Sequence, residues 1–595
     1  MTTPSVNRRT LFKGVAAATA ALAVPRVFDP AAAAAPASKG IFGYGVASGD
    51  PTADSLIIWT RATPPAAKGE PVAAPGSGLG RSIPVRWQVA RDARFTKLAA
   101  HGTVHTSPAS DHTVKVDVTG LNPYSRYYYR FQSLGEYSQV GRTQTAGDVP
   151  GETHALRLAL VSCSNFTGGW FTAYRAIAAR DDLDFVLHVG DYMYEYGNGS
   201  DRYGPAALVG VRDNQPPTET IDLRGYRLRH ALHKADADLQ AAHQRHPWIT
   251  IFDDHEVANN AWAEGAGNHQ ANEGNYFERR AQAMQAYLEW MPFRMPDQSV
   301  PHQGTRFFKR FTFGDLGDLS ILETRQNRSL QIAVPDVPFD GFVPIGVSPQ
   351  IDGGLADPGR HLPEPEQMQW IKDGLAEEGR RWHLFGNQVM VSPVLYPGAA
   401  LGAAGYTFVN ADQWDGYTAD RTNLLMHAAA QPSGKAGDAV ILTGDIHASF
   451  ASDLPLSAAP GSAAYTSAGV EFVCPSVTSD GFFEVLSGTA GLVGQPPEVV
   501  VSVTRQAIGA AQQLNPWIRY IDGVSHGYAV IDVTPERVQA DYHHTPVPTS
   551  SQPDPRTVQT LLPTYSRSFQ TLAGTRRVSS AAGPVGPRAD RPRGA

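Results

Sequence analysis

Disulfides cannot hold this chain together. Its 595 residues contain two cysteines, Cys163 and Cys474, which excludes a stapled, small-core scaffold. One bridge, a metal role or core packing stays open for them. A strong charge of one sign is also lacking. The formal net charge is −7 and the pI about 6.3, so the sequence has no general field for nucleic acid, and no specific nucleic-acid binding is expected. No segment reaches the roughly 18 apolar residues of a membrane span, and no internal repeat is visible. A hydrophobic content of 42% in a chain of this length exceeds what one small domain needs. The 57 glycines and 45 prolines point to many turns around a rigid frame.

The amino terminus reads as an address. Arg8 and Arg9 precede Thr10, Leu11, Phe12 and Lys13; a short apolar stretch runs from Val15 to Val24, and a small-residue zone follows at 31–37. This is the layout of a secretory signal, and the paired arginines resemble the twin-arginine export motif. Residues 1–38 are therefore expected to be an export signal read by the twin-arginine machinery. The mature chain is expected outside the cell, in the periplasm or at the cell wall.

Residues 39–150 carry short alternating runs separated by Gly, Pro and Asn turns, which predicts an all-β domain of immunoglobulin or fibronectin type III character. From about residue 151 strand and helix patterns alternate, as a parallel sheet requires. A helix is expected near 170–180, others over 222–246 and 275–291, and a long Gly/Pro/Asn-rich loop over 197–220. This second domain is expected to end near 546. Residues 547–595, rich in Ser, Pro and Arg without periodicity, predict a poorly ordered tail.

Four hydrophobic runs end in metal-binding side chains. They are Leu156 to Cys163, Phe185 to Tyr194, Trp248 to Glu256 and Ala439 to His447. Each reads as a buried strand handing its last residues to one sheet edge, the place where open α/β sheets put their ligands. Taken singly, each has a plain reading: Asp191 as a helix cap, Cys163 as core, His447 bonded to backbone, 253–256 as a solvated turn. Adjacent carboxylates at Asp253 and Asp254 are costly to bury without cations.

Taken in order, the segments resemble the metallophosphoesterase superfamily. Cys163 stands at its first ligand position, Gly190-Asp191 with Tyr194 at its second, Asp253-Asp254-His255-Glu256 at its third and Gly444-Asp445 with His447 at its last. The departures from the common pattern, Asp254 for Asn and Asp445 for His, are those of the PhoD-like alkaline phosphatase D family. The resemblance spans about residues 1–545. It implies an α/β fold, a double β-sheet sandwich flanked by helices of the calcineurin-like type, behind the all-β domain. It implies an exported hydrolase of phosphoric esters using Fe3+ and Ca2+. Cys163, Asp191, Tyr194 and His447 match the iron ligands, and Asp191 bridges to calcium. Asp254 and Asp445 match calcium ligands, with Asn275 a further candidate by spacing. His255 is expected to offset phosphoryl charge or protonate the leaving group, and Arg325 to clamp phosphate. Expected substrates are small phosphate monoesters and phospholipid or nucleotide diesters, with a phospholipase D-like phosphodiesterase on the same site as the alternative. A monomer is expected. An exported, non-catalytic binding protein is the reading from another class, and it leaves the four ligand-bearing strand ends unexplained.

Overall fold

The computed structural model describes residues 40–590 apart from 67–71, 149–150, 152, 154, 296–305, 335–340, 402, 432–436, 490 and 589. The export-signal reading for 1–38 lies outside the described residues. Among the described residues no helix is long and apolar enough to cross a membrane.

Two large sheets face each other. The first runs in the order Val578–Ser580, Thr564–Leu572, Arg537–His544, Gly527–Val533, Leu156–Val161, Phe185–His188, Pro247–Thr250, Val46–Gly49, Leu56–Arg61, Thr113–Val118. Its centre, from Leu156–Val161 to Val46–Gly49, is parallel. The second has Gly317–Ile321, Trp382–Asn387, Asp438–Thr443 and Ser467–Val473 as a parallel centre with antiparallel edges. Leu158, Leu160, Leu187 and Val189 of the first sheet share one core with Leu319, Ile321, Leu384, Val440 and Leu442 of the second. Each such side chain contributes about 1.5–3 kcal/mol by leaving water. This layer holds the two sets of strand ends rigidly against one another.

The expected βαβ unit is present: Thr172–Ala178 connects the parallel strands Leu156–Val161 and Phe185–His188. The region 222–246 forms two helices, Leu223–Lys234 and Ala237–Arg245, because the Asp236 carboxylate accepts from the backbone N–H groups of Asp238 and Leu239 and starts a second helix. The all-β reading of the amino-terminal region holds with one addition. A five-stranded sheet (Leu98–His105, Pro84–Ala90, Arg126–Ser133, Glu136–Tyr137 and, off the main path, Gly141–Gln144) packs through Val85, Val89, Tyr129 and Phe131 on Val46, Leu56, Ile58 and Val114. Those last four residues belong to strands of the ten-stranded sheet. The sandwich therefore shares one of its layers with the region that follows residue 151.

For the described residues 547–588, the structure shows order in place of the poorly ordered tail expected over 547–595; 589 and 591–595 lie outside the described residues. Thr564–Leu572 pairs along the whole of Arg537–His544, and Val578–Ser580 adds one more strand. Phe569 stacks on Tyr520 with ring centroids 4.9 Å apart. The arginines that suggest disorder are anchors instead: Arg556, Arg576 and Arg588 are each paired with aspartates. A sheet edge left by Arg537–His544 supplies the unpaired backbone that orders this segment.

Candidate metal centre

The ligand-bearing strands of both sheets end at one rim. At three of these ends the backbone turns through the left-handed region: φ is +61° at Cys163, +56° at Asp191, and +60° at Asp445 and +57° at His447 after the same strand. Non-glycine residues rarely adopt this conformation, and such strain concentrates at functional sites. The residue before Asp445 must be glycine because a Cβ on Gly444 would lie 2.5 Å from Ser162 Oγ, where the two sheets touch.

Three groups of donors meet here, each with its ligand atoms within 4.8 Å of one another: Cys163 with Asp191 and His447, Asp191 with Asp254 and His255, and Asp253 with Asp254 and Asp445. Asp191 is shared by the first two and Asp254 by the last two. Tyr194 belongs to the first: its Oη donates to Asp191 Oδ2 at 2.9 Å and lies 3.3 Å from His447 Nε2. Burial, reinforced by Asp191 and Asp445, pushes the Cys163 thiol well above its ordinary value. Burial and Asp254 do the same to Asp191, and burial and Asp191 to Tyr194. All three groups sit at 1% exposure. Their ionised forms require an added positive charge, and a thiolate, phenolate, carboxylate and imidazole together suit a transition metal.

The second half is different. Arg325, also 1% exposed, runs into the acidic group. It donates to both oxygens of Asp253, to Asp412 Oδ2 at 2.8 Å and to Asp445 Oδ1 at 2.7 Å. Arg328 donates to Asp412 Oδ1 at 2.6 Å. Burial works against ionisation of Asp254, but Arg325 and His255 outweigh it and hold that carboxyl below its ordinary value. Asp253 and Asp445 are raised by burial despite Arg325. Asp254 Oδ1 has no hydrogen-bond partner among the described residues, and Arg325 Nη2 lies 3.8 Å from it. An all-oxygen set with an unbonded buried carboxylate oxygen fits a hard cation such as calcium.

The structure places three further expected residues. Asn275 is exposed, and its Oδ1 caps the helix Tyr276–Trp290 by accepting from Phe277 and Glu278 N–H. Spacing suggested a ligand where the sequence only starts a helix. Arg325 lies at the centre, where aspartates engage its guanidinium and it offsets their charge. His255 stands where expected. Its Nδ1 is 2.7 Å from Glu195 Oε2, and its ring lies 4.1 Å from that of Tyr194.

Several supporting residues escape a reading by motif. Glu256 accepts from the backbone N–H of Asp191 at 3.2 Å, Tyr192 at 2.6 Å and Asp253 at 2.9 Å, locking two ligand turns together. Gln413 donates to Asp445. Ser479 donates to Tyr194 Oη at 2.6 Å and to Cys163 O at 3.0 Å. Ser479 and the pair Asp412-Gln413 each follow a strand, Ser467–Val473 and Thr407–Asn410. The strand-end pattern extended to these two strands is the signal that finds them.

A family model described as PhoD-like phosphatase matches residues 158–542, and one described as its N-terminal domain matches residues 29–147. Alkaline phosphatase D of Bacillus subtilis (strain 168) is 33% identical over 509 residues, which is 85% of this chain and 78% of that protein. A solved structure titled "Structure of PhoD" matches with a TM-score of 0.74 at 30% identity, over 93% of this chain and 94% of the other.

Proposed function

Since the chain belongs to the PhoD-like phosphatase family, we propose that it is an exported, metal-dependent hydrolase of phosphomonoesters and phosphodiesters. The observation that carries this reading is the meeting of Cys163, Asp191, Tyr194 and His447 with Asp254 and Asp445 at one rim. The first four would hold ferric iron, and Asp191, Asp254 and Asp445 would hold calcium. Bound there, the two ions supply Lewis acidity toward phosphoryl oxygens and acidify water into the neutral range.

The chain's own residues orient and move protons. Glu195 accepts from His255 Nδ1–H, so a protonated ring presents its second proton at Nε2. His255 then gives that proton to the leaving alkoxide as the P–O ester bond breaks. Glu195 itself stays ionised: burial opposes this, but His255 and the bond from Asn259 N–H hold its carboxyl below the usual range. Arg325 offsets part of the charge of Asp253, Asp412 and Asp445, so that a hard cation would balance the rest of the acidic group. Glu256 fixes the turns that present Asp191 and Asp253.

Turnover of p-nitrophenyl phosphate and of bis(p-nitrophenyl) phosphate, before and after chelator treatment and after restoring iron and calcium, tests this. Hydrolysis that disappears with the chelator and returns with the metals is the expected outcome. Hydrolysis of neither ester by the metal-loaded chain would contradict the reading.

A further inference from the structure

The turn Thr478–Asp480 touches three of the four residues assigned to the iron. Ser479 Oγ donates to Tyr194 Oη and to Cys163 O, Thr478 N–H donates to Cys163 O at 3.3 Å, and Asp480 O lies 2.7 Å from His447 Nδ1. The contact to His447 sets which ring nitrogen faces the cluster, because an Nδ1–H bonded to a carbonyl leaves Nε2 as the ligand atom.

This turn is itself held from outside the matched catalytic region. Arg556, with a side chain only 2% exposed, donates through Nη1 to Thr478 O at 2.9 Å and to Asp480 Oδ1 at 2.7 Å. Its other nitrogens bind Asp554, and Glu484 lies 3.5 Å away. Glu484 in turn accepts from Gly481 N–H and pairs with His526. The Arg556 backbone is fixed as well, since its carbonyl accepts from Trp170 N–H at 2.9 Å. A Cβ on Gly169 would meet Arg556 Cβ at 2.7 Å and Thr478 Cγ2 at 3.0 Å, so glycine at 169 permits this close approach. A fully engaged, buried guanidinium bridging a backbone carbonyl and a carboxylate of one turn is a rigid clamp.

We propose that Arg556 is a positioning residue for the metal centre: the carboxy-terminal segment delivers it to the Thr478–Asp480 turn, which aims His447 and Tyr194 at the first ion. The inference rests on the iron assignment above and goes beyond it by making the segment after residue 546 part of the site. It predicts that loosening the clamp costs iron occupancy before it costs the fold. Arg588 provides the control, being a second buried arginine of the same segment that pairs with Asp184 and Asp590, away from the turn.

The test compares full-length wild type, Arg556→Gln, Arg556→Lys, Asp480→Asn and Arg588→Gln for iron and calcium per chain, melting temperature, kcat and KM. Arg556→Gln and Asp480→Asn are expected to lose most of their iron and at least tenfold in kcat, with KM within about threefold of wild type. Arg556→Lys recovers part of the iron, and Arg588→Gln lowers the melting temperature while keeping iron. Should Arg556→Gln fail to fold, Asp480→Asn carries the same comparison. Iron that stays bound in Asp480→Asn and, where folded, Arg556→Gln overturns the inference. Iron that falls equally in Arg588→Gln, in step with melting temperature, overturns it too. A wild type that binds neither metal sinks the functional reading itself, a different result.

Discussion

The two halves of the candidate metal centre share Asp191 but solve the problem of buried charge in opposite ways. Around Cys163, Asp191 and Tyr194 the effects that raise ionisation cost are burial and neighbouring acids. Around Asp253, Asp412 and Asp445 the protein brings its own cation, Arg325. The first half is an incomplete structure without an ion, whereas the second is partly neutralised in the fold. Affinity and selectivity for a metal should therefore differ between them even though they lie side by side.

The largest expected effect breaks both halves at once. Asp191→Asn should lower kcat on a phosphomonoester roughly a thousandfold, the scale of losing a preorganised electrostatic contact in an active site. The metal-free variant should melt at least as high as the metal-free parent, because a buried acid has been removed. Arg325→Met isolates the second half. Leaving its aspartates without their cation should destabilise the metal-free chain by about 3–5 kcal/mol, and calcium should restore part of the melting temperature because it replaces the missing charge.

A third contrast is with pH. Burial holds the rings of His233 and His246 down to about 3 and, together with Arg180, His543 down to about 4. They are neutral when folded and titrate near 6.5 when unfolded. Their contribution is present above pH 6.5 and is lost as pH falls from there toward 3–4, at up to about 1.4 kcal/mol per pH unit for each ring. In the metal-free chain Asp191, Asp253 and Asp445 act in the opposite direction, since raised carboxyls favour the folded state at low pH. Melting temperatures of the metal-loaded chain should therefore fall more steeply below pH 6.5 than those of the metal-free chain. The smallest effect is expected from Asn275→Ala: about 0.5–2 kcal/mol of stability from the lost helix cap, with metal content and kcat unchanged. A loss of calcium in that variant would return Asn275 to the site.

Much of this was legible from the chain alone, and the reasons are local. Val-Leu-His-Val-Gly before Asp191 and Val-Ile-Leu-Thr-Gly before Asp445 announce buried strands and their ends, because a strand buried on both faces must be continuously apolar. Contacts made between segments far apart in sequence are not announced. Nothing beside Arg325 predicts that Asp253, Asp412 and Asp445 surround it, from 72, 87 and 120 residues away. Asn275 misled because a capping asparagine and a ligating one have the same sequence context. The carboxy-terminal segment misled because an arginine-rich composition reads as solvated until the aspartates that receive it are known.

Counting metals in Cys163→Ser tests the central contrast most directly. The full-length variant, purified without chelator beside wild type, should lose iron while keeping calcium, because only the first half depends on that thiolate. Retention of iron, or loss of both metals together, would contradict the division of the centre into an uncompensated half and a half that Arg325 already balances.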